Sequence, residues 1–161
     1  EGALRLRPGR DQRALWGVSM GGYAALRVAF TQPQVFGRVA THSAMLLTRP
    51  PTREQGAGRW HMAAFEAVFG SPIDAALWAA NDPLTLAERA DARALPALRF
   101  DCGAEDRYGL AEGHRRLHGL LEGRGVPHAF ELPPGDHGYE YVRVVLERGL
   151  AFLSQGFGPR P

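Results

Sequence analysis

A chain of 161 residues, 45% hydrophobic and 22% charged, has room for one domain with a real core and the balance of an ordinary soluble globular fold. Its 19 basic and 17 acidic groups leave a formal charge of +2, which carries no electrostatic footprint for nucleic acid. The lone Cys102 excludes an internal disulfide framework and a cysteine-built metal site, and no apolar run approaches the ~20 residues of a membrane span.

All the basic residues are Arg, which together with abundant Ala and Gly reads as a coding bias rather than a binding surface. No signal peptide is visible, yet the chain opens Glu1-Gly2 without an initiator Met. A targeting segment ahead of it stays open, and so does the compartment, with the cytoplasm slightly favoured.

The first dozen residues, with Pro8-Gly9 and Arg10-Asp11, read as the tail of an earlier element and a connector. Ala14-Leu15-Trp16 predicts a short buried strand, and Tyr23 to Phe30, rich in Ala, Leu and Val, predicts a helix. Between them lies Gly17-Val18-Ser19-Met20-Gly21, followed at once by Gly22. This is the Gly-x-Ser-x-Gly pattern of a nucleophile elbow, in the strand–turn–helix context that an elbow requires. The glycines are expected because a strained turn leaves no room for neighbouring β-carbons. The turn would lift the Ser19 hydroxyl beside the positive end of the following helix.

Thr31-Gln32-Pro33 stops that helix, and Arg38 to Ser43 predicts a second strand. Residues 48–59, with Pro50-Pro51, Gly56 and Gly58, read as a mobile surface loop. From Trp60 to Ala90 the pattern is helical in pieces: Met62 to Phe69, Ile73 to Ala79 and Pro83 to Ala90. This segment, 60–90, predicts a helical cover over one end of a sheet. Leu98 to Cys102 predicts a third strand, ending at Gly103. Ala111 to Glu122 predicts an amphipathic helix with Leu117, Leu120 and Leu121 inward and Gly123 and Gly125 as its cap. His128 to Leu132 predicts a fourth strand. Val142, Val145, Leu146, Leu150 and Leu153 set the helical period of a final helix.

Strands alternating with helices imply an α/β fold with a mostly parallel sheet of about four strands. Functional groups in such sheets gather at the carboxyl ends of the strands. Ser19 follows the first strand, Asp106 the third and His137 the fourth. A serine hydroxyl needs a base to take its proton, histidine suits that task near neutral pH, and a carboxylate fixes the imidazole tautomer. The order Ser19, Asp106, His137 is that of α/β-hydrolases. Asp101 and Glu105 are close rivals for the acid.

The remaining candidates have plainer readings. His114 and His118 stand i, i+4, but Arg115, Arg116 and Leu117 between them lack the zinc-protease glutamate, so a solvated face is expected. His42 and His61 have no recognisable partner, although His42 sits at a strand end that borders the site. Cys102 reads as a small buried hydrophobe. Trp60, Phe65, Phe69 and Trp78 read as core of the helical cover, with some of them placed to line an acyl or aryl pocket.

Gly17 to Tyr23, Gln32 to Gly37 and His42-Ser43 resemble the putative esterase family of α/β-hydrolases. That family includes S-formylglutathione hydrolases, feruloyl esterases, enterochelin-type esterases and mycolyltransferases. Asp101 to Asp106 resembles its acid loop, and Gly135-Asp136-His137-Gly138-Tyr139 its Gly-x-His loop with a following aromatic. The likeness runs over nearly all of residues 12–154. It implies an α/β-hydrolase fold of which only the C-terminal part is here, because the elbow follows the fifth of eight strands in that fold.

The resemblance also implies a serine carboxylic-ester hydrolase working through an acyl-enzyme, with Ser19, Asp106 and His137 as its triad. The backbone amide of Met20 would be one oxyanion donor, and the second would come from a loop of the missing half. No cofactor or metal is implied, and the expected partner is a small-molecule ester rather than a nucleic acid or a membrane. The elbow strand should expose an unpaired edge, covered by the missing N-terminal half of the domain or by a homo-oligomer. Two alternatives accompany this reading. One is an acyltransferase on the same fold; the other is a catalytically silent, truncated hydrolase serving as a binding or assembly module.

Overall fold

The computed structural model describes residues 8–53 and 62–157. A single 3-10 turn, Arg10–Gln12, leads into β1 (Ala14–Val18), which is followed at once by α1 (Met20–Thr31). Then come β2 (Arg38–His42), the helices α2 (Met62–Phe69), α3 (Ala75–Ala79) and α4 (Pro83–Arg89), and β3 (Ala97–Asp101). The chain closes with α5 (Ala111–Gly123), β4 (His128–Glu131) and α6 (Tyr139–Ser154). Trp60, His61 and residues 54–59 of the expected 48–59 loop lie outside the described residues.

The four strands form one sheet in the order β1-β2-β3-β4, every pair parallel. Alternation along the strands sorts the side chains between two faces. Val39 pairs in register with Leu98, and Thr41 with Phe100. Val39, Leu98 and Phe100 join Leu26, Phe30, Leu84, Leu117 and Leu121 in the main core, under α1, α4 and α5. The opposite face is covered by α6, which approaches β2 closely because residue 149 is glycine. A β-carbon there would stand 2.7 Å from Nε2 of His42.

Local chemistry explains where the helices begin and end. The Asp82 carboxylate caps α4 by accepting from the Thr85 amide at 2.9 Å, with Pro83 opening the first turn. At the end of α5, Gly125 adopts φ +65. Its amide bonds to the Glu122 carbonyl and that of Val126 to the Leu121 carbonyl, the paired closure of a Schellman cap. Of the two glycines expected to cap α5, Gly125 takes the left-handed position, while Gly123 is the last helical residue.

The solvated face expected for His114 and His118 is corrected by the structure. His114 is fully buried and His118 half-buried. The reason is helical spacing: Ala111, His114, Leu117 and Leu121 recur at i, i+3 and i+4 and form one buried stripe. His114 Nδ1 donates to the Leu110 carbonyl at 2.8 Å, and His118 Nδ1 meets His128 Nε2 at 2.7 Å.

Burial pushes the His114 pKa down to about 4. An unfolded His titrates at about 6.5, so between these values the unfolded chain binds more protons and stability falls as the pH falls. His114 should therefore cost on the order of 2–3 kcal/mol of stability by pH 4.5 relative to pH 7. Urea unfolding of the wild type and His114→Leu at both pH values checks this: the variant should lose that part of the dependence. Parallel pH profiles would refute it.

Among the described strands β1 lies at one end of the sheet, and Trp16 on it is 44% exposed.

Candidate active site

Ser19 stands between β1 and α1 with φ 54 and ψ −117, a conformation that costs roughly 1–3 kcal/mol and persists only where its surroundings enforce it. Three backbone bonds do so, each 3.0 Å long. The Ser19 amide donates to the His42 carbonyl, and the Ser19 carbonyl accepts from both Tyr23 and Met45. The side chain is thereby fixed at the carboxyl end of the sheet, at the amino end of α1. Met20 is the first residue of that helix, so its amide is among those left without an intrahelical acceptor.

The elbow's glycines do not all serve the same purpose. A β-carbon on Gly17 would run into the Gly21 carbonyl, and one on Gly22 would lie 2.7 Å from the Ala44 β-carbon. Gly21 has open space where a β-carbon would go, which corrects the expectation that every glycine here is sterically required.

The loop after β3 and the loop after β4 are laced together. Gly103 lets them approach, since a β-carbon there would collide with the Gly135 carbonyl. The Ala104 amide donates to Pro133 and the Glu105 amide to Gly135, while the Glu105 carboxylate accepts from the Gly135 amide at 2.5 Å. Asp136 accepts from the amides of Arg107 and His137 at 2.7 and 2.6 Å. Its other oxygen pairs with the Arg107 guanidinium at 2.5 Å, and these contacts hold its carboxyl well below the usual range.

Between these loops, His137 Nδ1 lies 2.8 Å from Asp106 Oδ2 and His137 Nε2 lies 3.1 Å from Ser19 Oγ. The Tyr108 ring stands edge-on to the imidazole, with centroids 4.8 Å apart. Asp106 is buried, which by itself raises its pKa. Hydrogen bonds from His137, the Tyr108 amide and Cys102 outweigh that and leave it below the ordinary carboxylate range. Cys102 is buried, and burial beside Asp106 raises its thiol pKa, in keeping with a hydrophobe rather than a nucleophile.

The rivals for the acid have other partners. Asp101 accepts from His42 Nδ1 at 2.8 Å and from the Tyr141 hydroxyl at 2.6 Å, beneath α6. His42 thus bears on the site through its backbone carbonyl, with its side chain buried on the far face of the sheet. Burial and the neighbouring Asp101 raise the Tyr141 pKa, so its hydroxyl stays protonated as a donor. Tyr141 also packs under the His137 loop, since a β-carbon on Gly135 would lie 2.8 Å from its ring. Sequence reasoning singled out Tyr139 as the aromatic after the histidine, but Tyr139 is exposed and Tyr141 is the buried one. Their i, i+2 placement across the start of a helix could have separated them, because α6 turns only one of the two inward.

Ser19 and His137 open into a cavity of about 390 Å³, walled by α2 through Phe65, Val68 and Phe69, with Met45, Tyr23 and Leu110 beside them. Phe65 and Phe69 both lean on Trp78 of α3, as core of the helical cover and pocket wall at once.

Over residues 2–153 the chain matches the family described as "Putative esterase". The chain belongs to this esterase family. An S-formylglutathione hydrolase of Paracoccus denitrificans is 28% identical over 152 residues, covering 92% of this chain and 50% of that protein. An S-formylglutathione hydrolase from Staphylococcus aureus superposes with a TM-score of 0.69 at 27% identity, over 94% of this chain and 55% of its own. A ferulic acid esterase superposes with a TM-score of 0.73 at 23% identity, over 98% and 57%, a likeness of fold. This esterase-family chain therefore spans about half the length of the relatives it matches. Its four-stranded parallel sheet and flanking helices match about half of an α/β-hydrolase esterase.

Proposed function

We propose that this chain carries the nucleophile, acid and base of a serine carboxylic-ester hydrolase that works through an acyl-enzyme. The observation that carries the reading is the continuous line from Ser19 Oγ to His137 Nε2, and from Nδ1 to Asp106, at 3.1 and 2.8 Å. Asp106, ionised at neutral pH, accepts the Nδ1 proton and so leaves Nε2 as the acceptor facing the hydroxyl. As Ser19 Oγ attacks an ester carbonyl, its proton passes to Nε2. The negative charge that develops on the carbonyl oxygen meets the Met20 amide at the positive end of α1.

When the tetrahedral intermediate collapses, the carbon–oxygen bond to the alcohol breaks and His137 returns its proton to the departing oxygen. Water then repeats the sequence on the acyl-serine: His137 takes its proton, hydroxide adds, and Ser19 leaves as the alcohol. No step in this scheme draws on a metal or an organic cofactor.

A fluorophosphonate probe tests the assignment, because a serine activated in this way reacts with it far faster than an ordinary hydroxyl does. The whole chain should be labelled at Ser19, and Ser19→Ala should lose the label while keeping its thermal unfolding transition. Labelling that survives in Ser19→Ala, or a folded wild type that resists the probe, would overturn the proposal.

A further inference from the structure

The cavity beside Ser19 has a wall whose chemistry restricts what can sit in it. Along its described lining the polar side-chain groups are few. Ser19 and His137 are engaged with each other, and the Tyr23 hydroxyl already donates to the Asn81 carbonyl at 2.8 Å. Burial and the neighbouring Asp82 push the Tyr23 pKa up to about 12, so that hydroxyl stays neutral. The rest of the wall is apolar apart from the Tyr108 hydroxyl, with Met45, Phe65, Val68, Phe69 and Leu110 among its members. No carboxylate or guanidinium stands among the described lining residues, so a charged substituent would lose its hydration there without gaining a partner.

The wall is also preformed. Phe65 and Phe69 are buried against Trp78, with ring centroids 6.3 and 5.0 Å away, and Met45, Leu47 and Ile73 pack behind them. Two apolar side chains of the lining nevertheless face water: Val68 is 63% exposed and Met20 is 68% exposed. A ligand that covers them gains the free energy of removing apolar surface from water. The cavity of about 390 Å³ falls at the lower end of the size range of small-molecule sites.

We propose that this cavity seats a bulky apolar arm of the ester, an aryl or medium-chain alkyl group, and that Phe65, Val68 and Phe69 set the preference. The inference rests on the assignment of Ser19 as nucleophile, since that places the reacting carbonyl at the mouth of the cavity. Either arm of an ester could supply the group, the acyl side or the alcohol side, and the two are separable by experiment.

The test uses the Ser19→Ala chain, in which binding is read without turnover, followed by intrinsic tryptophan fluorescence. Phenyl acetate, phenyl hexanoate and phenyl benzoate vary the acyl arm; ethyl acetate and hexyl acetate vary the alcohol arm. Each methylene removed from water is worth about fourfold in affinity, so burying two of the four added by hexanoate gives roughly 16-fold. At least tenfold tighter binding in one series is expected, and that series identifies the arm.

Adding Val68→Asp, a change at an exposed position that the fold tolerates, should remove most of that preference. Equal affinities across both series, or a preference indifferent to Val68→Asp, would overturn the inference. A wild type that resists the fluorophosphonate probe while Ser19→Ala still prefers the larger ester would sink the catalytic reading alone.

Discussion

Asp106→Asn should lower kcat by about 10⁴ while leaving the chain folded. The two oxygens of Asp106 have separate obligations: Oδ1 accepts from the Tyr108 amide at 2.9 Å, and Oδ2 accepts from His137 Nδ1 at 2.8 Å. An asparagine offers one acceptor and one donor, so it satisfies only one of them. If its carbonyl stays with Tyr108, its amino group faces Nδ1 and forces the imidazole into the opposite tautomer. Nε2 then carries a proton toward Ser19 and cannot take another. If the amide flips, two donors meet at Tyr108 and the acid loop is strained instead. Steady-state hydrolysis of a phenyl ester, with fluorophosphonate labelling rate as a second readout, measures the effect. A fall of less than tenfold in both would show that Asp106 does not set the tautomer.

Gly17→Ala should disable the site and Gly21→Ala should not, although the two positions are equivalent in the Gly-x-Ser-x-Gly pattern. At residue 17 a methyl group collides with the Gly21 carbonyl, which is backbone of α1 and cannot rotate away. Relief requires α1 to move relative to β1, at about 3 kcal/mol or more, and displaces the very turn that holds Ser19. Labelling by the probe should fall at least a hundredfold. At residue 21 nothing lies within 4 Å of the added carbon, and in a helix alanine is favoured over glycine by roughly 1 kcal/mol. Gly21→Ala should therefore match or exceed the wild type in urea stability and keep its label. Equal damage from both substitutions would mean that the elbow's tolerance is set by something other than these contacts.

Much of the architecture is legible in the linear chain because its signals are local. Four apolar runs of strand length alternate with stretches of helical period, and that alternation alone implies a parallel sheet. Capping glycine at 125 and the Pro33 and Pro83 boundaries depend only on backbone torsions of a few neighbouring residues. The same holds for the elbow, whose strand, turn and helix are contiguous. Even His114 was accessible this way: its place in the stripe with Leu117 and Leu121 is a spacing, though a histidine's polarity argues against reading it as core.

What the chain by itself determined, then, is which segments become strands and helices, and that Ser19, the 101–106 loop and the 133–138 loop fall at one end of a sheet. Which acid faces which histidine was decided only in three dimensions. Asp101 ends β3 on the side covered by α6, so it meets His42 and Tyr141, while Asp106 is carried by the following loop across to His137. The open space at Gly21, the burial of Tyr141 beneath the His137 loop and the apolar wall contributed by α2 are likewise tertiary facts. Each depends on atoms brought together from distant parts of the chain, and pairwise distances of that kind leave no trace in local periodicity.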